Sequence, residues 1–336
     1  MTGSGKAAGR LALNIMIVGA TLNGDIAGAE LTGFSENGWH TWRVESVDDV
    51  PEWCCYSWNR GRRENTGCDL DKRRGGYGAN QERIDTSGQV QVYALLEAGT
   101  VTEIRSLSPR CPVSSRDVIT DLGVIAVDDS VEWLRARIEP RSDITVDALR
   151  SVAMHAGKGA HDLLIEISSY GSDNDSREEA IFWMAQLRIP ETGPHLRQLM
   201  FADESPDIRR HAAFAYSQSA AADRVAALTR QGETDRNADV RSQAWFWLAQ
   251  TDAPDSAMTI QRAIERAISE DADPDVREQA VFALSQLPDG RAVNALIRIV
   301  ENRNLSRDSR EHALFWLAHS ESDAAFGFLE RLISGL

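Results

Sequence analysis

From residue 175 onward the apolar positions return in a fixed order. DSREEAIFWMAQ begins at Asp175, DIRRHAAFAYSQ at Asp207, DVRSQAWFWLAQ at Asp239, DVREQAVFALSQ at Asp275 and DSREHALFWLAH at Asp308, at steps of 32, 32, 36 and 33 residues. One further step of 32 back reaches Asp143 in DITVDALRSVAM, a copy without the arginine, as a terminal capping unit is. The pattern therefore has six units. Each segment predicts a helix with the aspartate as N-cap, and Glu178, Glu278 or Glu311 three residues later completes a capping-box-like pair. A turn follows, then a second amphipathic segment: GPHLRQLMF, ADRVAALTRQ, MTIQRAIERAI, RAVNALIRIV and AAFGFLERLI. The four extra residues of the 36-residue step lie around this second segment, and about one added turn leaves its apolar face intact. Helix pairs at this period, each too small to bury its own apolar face, predict a mainly α fold, an α-solenoid of about six helix pairs over residues 141–336.

A helical wheel sorts the large rings. Counting from the central alanines Ala180, Ala212, Ala244, Ala280 and Ala313, with about 100° per residue, positions minus four, plus three and plus four fall on the core stripe. In the third clear copy these are Val240, Trp247 and Leu248, while Trp245 at plus one lies to the side, where the next repeat packs. Position plus two points about 200° away from the alanine. Every clear copy has phenylalanine there: Phe182, Phe214, Phe246, Phe282 and Phe315. Position plus six, on the same side, holds Gln186, Gln218, Gln250, Gln286 and His319. Two expectations compete. The row is either an exposed strip that docks an extended peptide or amphipathic helix, with the carboxamides pairing to a backbone, or a set of rings that a tightly curved superhelix packs against one another. Arg150 and Met154 occupy the two rows in the first unit, so any groove changes character at its amino end.

The Asp-hydrophobic-Arg-x-x-Ala start with its small apolar core resembles HEAT repeats, in particular the short bacterial kind named after phycobilin lyases, over about residues 141–336. The resemblance implies a ladder of Asp and Arg side chains between successive units, with Arg177, Arg209, Arg241, Arg277 and Arg310 in structural roles. It also places the first helix of each pair, with its Phe and Gln rows, on the concave side. That repeat type normally allows a polar residue at plus two, so the phenylalanines depart from it.

Residues 30–140 differ in kind. GQVQVYALLEAGTVTEIRSLS alternates and is broken at Gly99, which predicts two antiparallel strands about a short turn. GWHTWRVESV and LGVIAV offer two more strands, and DDSVEWLRARI a short helix leading into the solenoid. This is a small β-rich domain, similar to the leading segment of some exported bacterial HEAT-repeat proteins of unassigned role, and that similarity transfers no mechanism. All four cysteines, Cys54, Cys55, Cys68 and Cys111, fall in it. An even number in a turn-rich region suits disulfides formed in an oxidising compartment. Adjacent cysteines rarely bond to each other, so one of Cys54 and Cys55 is expected to reach Cys68 and the other Cys111, with both pairings open. Free thiols are one alternative. A thiolate metal site including His40 is another, but the spacing lacks a CxxC pair, and no metal or cofactor is expected.

Charge narrows the partners. The chain has 51 acidic against 36 basic residues, a net charge of −15, which argues against nucleic acid. Arg60, Arg62, Arg63, Lys72, Arg73 and Arg74 cluster in one Gly- and Asn-rich stretch that reads as a solvated loop. No run of 18 apolar residues exists, so no membrane span is expected. Residues 1–29 combine Lys6 and Arg10, the apolar run from Leu11 to Val18 and two small-residue cleavage patterns, Val18-Gly19-Ala20 and Ala27-Gly28-Ala29. That predicts an export signal and a periplasmic or secreted protein; a disordered or strand-forming tail, with the protein cytoplasmic, is the alternative.

Catalytic motifs are wanting. There is no glycine-rich phosphate loop, nucleophile elbow or HExxH, and GSGK at residues 3–6 lacks the rest of a P-loop. His155 and His161, six apart with Asp162 beside the second, read as core-edge or surface residues. Glu178 and Glu179 are adjacent and face different directions, so they make no acid–base pair. The expectation is a non-catalytic binding or scaffold protein that engages a peptide or protein partner. The repeat subtype supplies the alternative, a cytoplasmic bilin-lyase-like enzyme that handles a chromophore and keeps its cysteines reduced.

Overall fold

In this computed structural model the chain is described at residue 31 and over residues 36–334, apart from 60–61, 66, 73–76, 141, 172, 188, 220 and 288–289. The leader-like segment 1–29 and Arg60, Arg73 and Arg74 lie outside the described residues.

Strands β1 (Gly38–Glu45), β6 (Gln89–Glu97), β7 (Thr100–Leu107) and β9 (Thr120–Val124) form a sheet in the order β7-β6-β1-β9, antiparallel except for the parallel β1–β9 pair. The β6–β7 hairpin turns at Ala98 and Gly99, both with positive φ (52° and 78°), the two-residue connection whose twist matches that of its strands. Alternation sorts the sheet's faces: Val90, Val92 and Ala94 look toward the helices, while Tyr93 and Leu95 meet the cysteine-bearing segment.

That segment is not the loop its composition suggests. β2 (Pro51–Asn59), β3 (Arg62–Asn65) and β5 (Tyr77–Ile84) form a second sheet in the order β3-β2-β5, and β4 (Cys68–Asp69) pairs with β8 (Val113–Ser114). Three successive β2 residues, Trp53, Cys54 and Cys55, are buried, so no alternation signals the strand. Disulfides join Cys54 to Cys111 and Cys55 to Cys68, with Cα–Cα separations of 5.4 and 5.0 Å that a bridge needs. Arg105, 2% exposed, pairs with Glu103 at 2.6 Å and donates to the Leu70 and Lys72 carbonyls, tying the β4 segment to the first sheet.

Helix α1 (Val127–Arg135) leads to six pairs: α2 (Asp143–Met154) with α3 (Gly157–Tyr170), α4 (Asn174–Leu187) with α5 (Ile189–Ala202), α6 (Pro206–Ser217) with α7 (Arg224–Thr234), α8 (Ala238–Gln250) with α9 (Ala257–Glu270), α10 (Pro274–Ser285) with α11 (Arg291–Glu301), and α12 (Arg307–Ala318) with α13 (Asp323–Ser334). The extra residues of the long step make the turn Pro254–Ser256 and a longer α9. Successive first helices pack against one another far more densely than successive second helices do, as the inner layer of a curved stack must. The central alanines, all at 0% exposure, let the inner helices approach.

Three local expectations are corrected. The repeated aspartates are not N-caps. The capping side chains stand two residues earlier, at Ser205, Asn237, Asp273 and Ser306, with Asp173 accepting from Ser176 N. Asp207 and Asp275 follow a proline at the first helical position, so they sit in the first turn, where a negative charge still favours the helix dipole. Trp245 packs back on the preceding unit rather than forward: it is 1% exposed, and a Cβ on Gly232 of α7 would come within 2.5 Å of its ring. His155 is fully buried, not at an edge. Trp42 Nε1 can only donate, so Ser130 Oγ accepts from it at 2.8 Å and its own proton goes to His155 Nε2 at 2.7 Å, leaving Nδ1 to donate to the Ser151 carbonyl. This chain of bonds, with Ala156 N donating to Glu45 O, clamps the first sheet onto α1 and α2.

In place of the expected ladder between successive units, the arginines form ion pairs within their own units. Arg177 pairs with Asp203, Arg209 with Asp235 through two bonds of 2.8 Å, and Arg241 with Asp271 through two of 2.9 Å. Each accepting aspartate ends the second helix of the arginine's own unit, and Arg209 and Arg241 also donate to carbonyls of the preceding turn. Arg277 bonds the Asp271 and Ala272 carbonyls, but the corresponding acceptor position is Asn302, so the ionic rungs end there.

Candidate docking groove on the inner helices

The five phenylalanines are neither free nor enclosed. Phe182, Phe214, Phe246 and Phe282 are half-buried and Phe315 is 48% exposed. Phe182 stacks on Phe214 with ring centroids 6.4 Å apart, and Phe246 on Phe282 at 5.8 Å. Each ring thus packs on its neighbours and keeps part of its surface exposed.

The wheel mispredicts position plus three. Trp247, assigned to the core stripe with Val240 and Leu248, is half-exposed, and its ring lies 4.7 Å from Phe214 and 4.8 Å from Phe246. Plus three alternates along the stack as Trp183, Ala215, Trp247, Ala283 and Trp316. Each alanine leaves room that a neighbouring tryptophan fills: Trp247 against Phe214, and Trp316 against Phe282 at 5.0 Å. Large beside small is what dense packing over a curved surface requires. This alternation was visible in the sequence, but a wheel drawn for one helix at a time does not reveal it.

At the amino end the row continues in a way no repeat arithmetic foretells. Trp53 of β2 lies 5.8 Å from Trp183, which meets Phe182 at 4.9 Å. Met154 is fully buried. The Arg150 guanidinium stands over Trp53 at 5.7 Å and Trp183 at 5.8 Å and pairs with Asp147; burial brings its pKa down to about 10 against the opposing pull of Glu179. The ring row thus begins on a buried tryptophan of the sheet domain. At the carboxyl end, Phe315 meets Trp316 at 5.1 Å and His319 at 4.1 Å.

Gln186, Gln218, Gln250 and Gln286 are exposed at the ends of the inner helices, as is His319. The Gln218 and Gln286 amides donate to the neighbouring Ser217 and Ser285, at 3.1 and 2.9 Å. Gln186 and Gln218 flank a hollow of about 950 Å³ with Asp48, Asp49, Lys158 and Glu191, and Gln250 and Gln286 flank one of about 290 Å³. On the other side of the ring row, Asp143, Asp175, Phe182 and His211 line a depression of about 550 Å³ together with Glu178 and Glu179, which do not face apart as their adjacency suggests. Burial and the nearby Asp207 and Asp175 charges raise the Glu178 pKa against the pull of His211 and Arg210. Burial likewise raises that of Glu179, although the Trp183 indole N–H donates to it at 3.1 Å. His211 lies 3.4 Å from Glu178 and His312 2.8 Å from Glu278, each pair bridging consecutive units. Across its width the groove runs from carboxylate through aromatic ring to amide.

Among the described residues, the one group of metal-type ligand atoms within 4.8 Å of each other is Cys54, Cys68 and Cys111, and disulfides engage all three. No helix of the described chain is long and apolar enough to cross a membrane.

Comparison with known proteins follows the solenoid. Residues 161–249 and 225–318 match the family model for HEAT repeats. Among solved structures, YibA of Escherichia coli is 20% identical over 61% of this chain and 81% of its own, with a TM-score of 0.37. Human deoxyhypusine hydroxylase, solved with glycerol, is 15% identical over 60% of this chain and 77% of its own, with a TM-score of 0.33. No curated protein sequence matches.

Proposed function

The carboxyl-terminal part of this chain is built of HEAT repeats, and on that premise we propose that the protein is a non-catalytic binding or scaffold protein whose concave face takes a protein or peptide segment. The observation that carries the reading is the row of half-exposed rings. An inner surface needed only for packing would have no reason to leave five phenylalanines partly open along five consecutive units, and an apolar strip of that kind marks contact with a partner. The exposed carboxamides suit pairing with a bound main chain. The disulfides fit an exported protein working in an oxidising compartment.

A peptide-display library panned on the purified protein tests this. Selection is expected to yield ligands that bind the parent and are lost on joint replacement of Phe246→Ser and Phe282→Ser. The rings are half-buried, so the double variant should unfold only a few degrees lower. Ligands that bind it as well as the parent would refute the groove, and a collapse of its melting temperature would assign the rings to the core.

A further inference from the structure

Resting on that reading, we infer that the groove's partner is a basic segment with apolar residues interleaved, its cations lying along the carboxylate edge of the ring row and its apolar side chains on the rings. The argument is one of charge placed beside apolar surface. On each inner helix the positions five, two and one before the central alanine lie on the same side as the phenylalanine at plus two. The lining of the depression at Phe182 by Asp175, Glu178, Glu179 and His211 shows them together. Over five units those three rows hold nine carboxylates against the single guanidinium of Arg210, a charge of −8 where the whole chain carries −15, with Arg307 just outside the rows paired to Glu311. Asp175, Asp239, Asp275 and Asp308 are exposed and pair with no cation among the described residues. The ionic rungs within the units use other carboxylates, Asp203, Asp235 and Asp271.

A cationic side chain entering here meets two attractions at once. It neutralises a carboxylate row whose self-repulsion the free protein bears, and its stem or head lies on the negative face of an aromatic ring. An acidic segment would meet only repulsion, and a purely apolar one would leave the carboxylates desolvated without partners. The spacing also suits an extended chain. Alternate residues of a strand fall on one face at about 6.6 Å, close to the 6.4 and 5.8 Å within the two stacked pairs Phe182–Phe214 and Phe246–Phe282.

Three fluorescent peptides of about twelve residues, the length that engages several repeats, alternating leucine with lysine, serine or glutamate, make the test. The lysine peptide is expected to bind at least about tenfold more tightly than the other two, to weaken as salt rises from about 50 to 300 mM, and to be lost both with Phe246→Ser/Phe282→Ser and with Asp239→Asn/Asp275→Asn. Equal binding of the serine and lysine peptides, both abolished by the ring variant, would overturn this inference and leave the groove standing. Lysine-peptide binding that survives removal of the rings would reduce it to attraction by an acidic surface and refute the groove with it. Binding of none of the three would overturn the inference, while display-selected ligands would still decide the groove.

Discussion

The sheet domain and the solenoid solve the same problem, burying a core, by opposite means. The sheet domain closes on itself through distant contacts: β1 pairs with β6 and with β9 across the sequence, and the Cys54–Cys111 bridge spans 57 residues. The solenoid uses near neighbours, each unit burying its faces on the next, with rungs such as Arg209–Asp235 spanning 26 residues. A closed domain fails as a whole when a distant tie is cut; a stack loses only the joint that was touched.

The largest effect should come from the disulfides. Converting Cys54 and Cys111 to alanine releases a loop of 57 residues, worth about 4 kcal/mol by the chain-entropy relation, while the 13-residue Cys55–Cys68 loop is worth about 3 kcal/mol. Chemical denaturation followed by near-UV circular dichroism should show the sheet domain melting ahead of the helices in the first variant. A single coincident transition with unchanged midpoint would contradict the division.

Arg209→Ala should come next. Arg209 and Asp235 are 3% and 6% exposed, and removing one partner of a buried ion pair costs about 3 kcal/mol. The loss should concentrate at the joint between α5, α6 and α7, as hydrogen exchange would read it; uniform deprotection of the whole chain would mean that the solenoid is as cooperative as the sheet.

The smallest effect is one of pH. Burial pushes the Asp271 carboxyl up, but the Arg241 guanidinium, the Asp273 N–H and the Arg277 charge outweigh it and hold its pKa below 3.8. A carboxyl depressed on folding stabilises fully above its unfolded value, near 3.9, and that contribution is lost as pH falls through the folded one. Thermal melts from pH 6 down to about 2 should therefore fall less steeply for Asp271→Asn than for the parent below about pH 4, and parallel curves would show that this rung carries no linkage.

Legibility differed between the regions for the same physical reason. Six units, their two helices and the arginine positions could be read directly because each unit makes the same local choices, and repetition averages out single-helix ambiguity. The β6–β7 hairpin was legible too, since alternation and the Ala98–Gly99 turn are local signals. β2 was not, because Trp53, Cys54 and Cys55 are all buried and cross-linked, which erases the period of two. The N-caps were misplaced by two residues because both aspartate and serine cap well, and only the backbone shows which residue stands at the boundary.

What the sequence alone determined is everything with a period: the number of units, the faces of their helices, the phenylalanine and glutamine rows, and the cysteine count that makes two bridges possible. Tertiary structure decided what no period contains. Which cysteine joins which, the entry of Trp53 at the head of the ring row, the position of Trp247 on the groove rather than in the core, and the choice of Asp203, Asp235 and Asp271 as rungs all depend on distances between elements far apart in the chain. Those distances are set by how curved layers pack, and a pattern along one dimension does not carry that curvature.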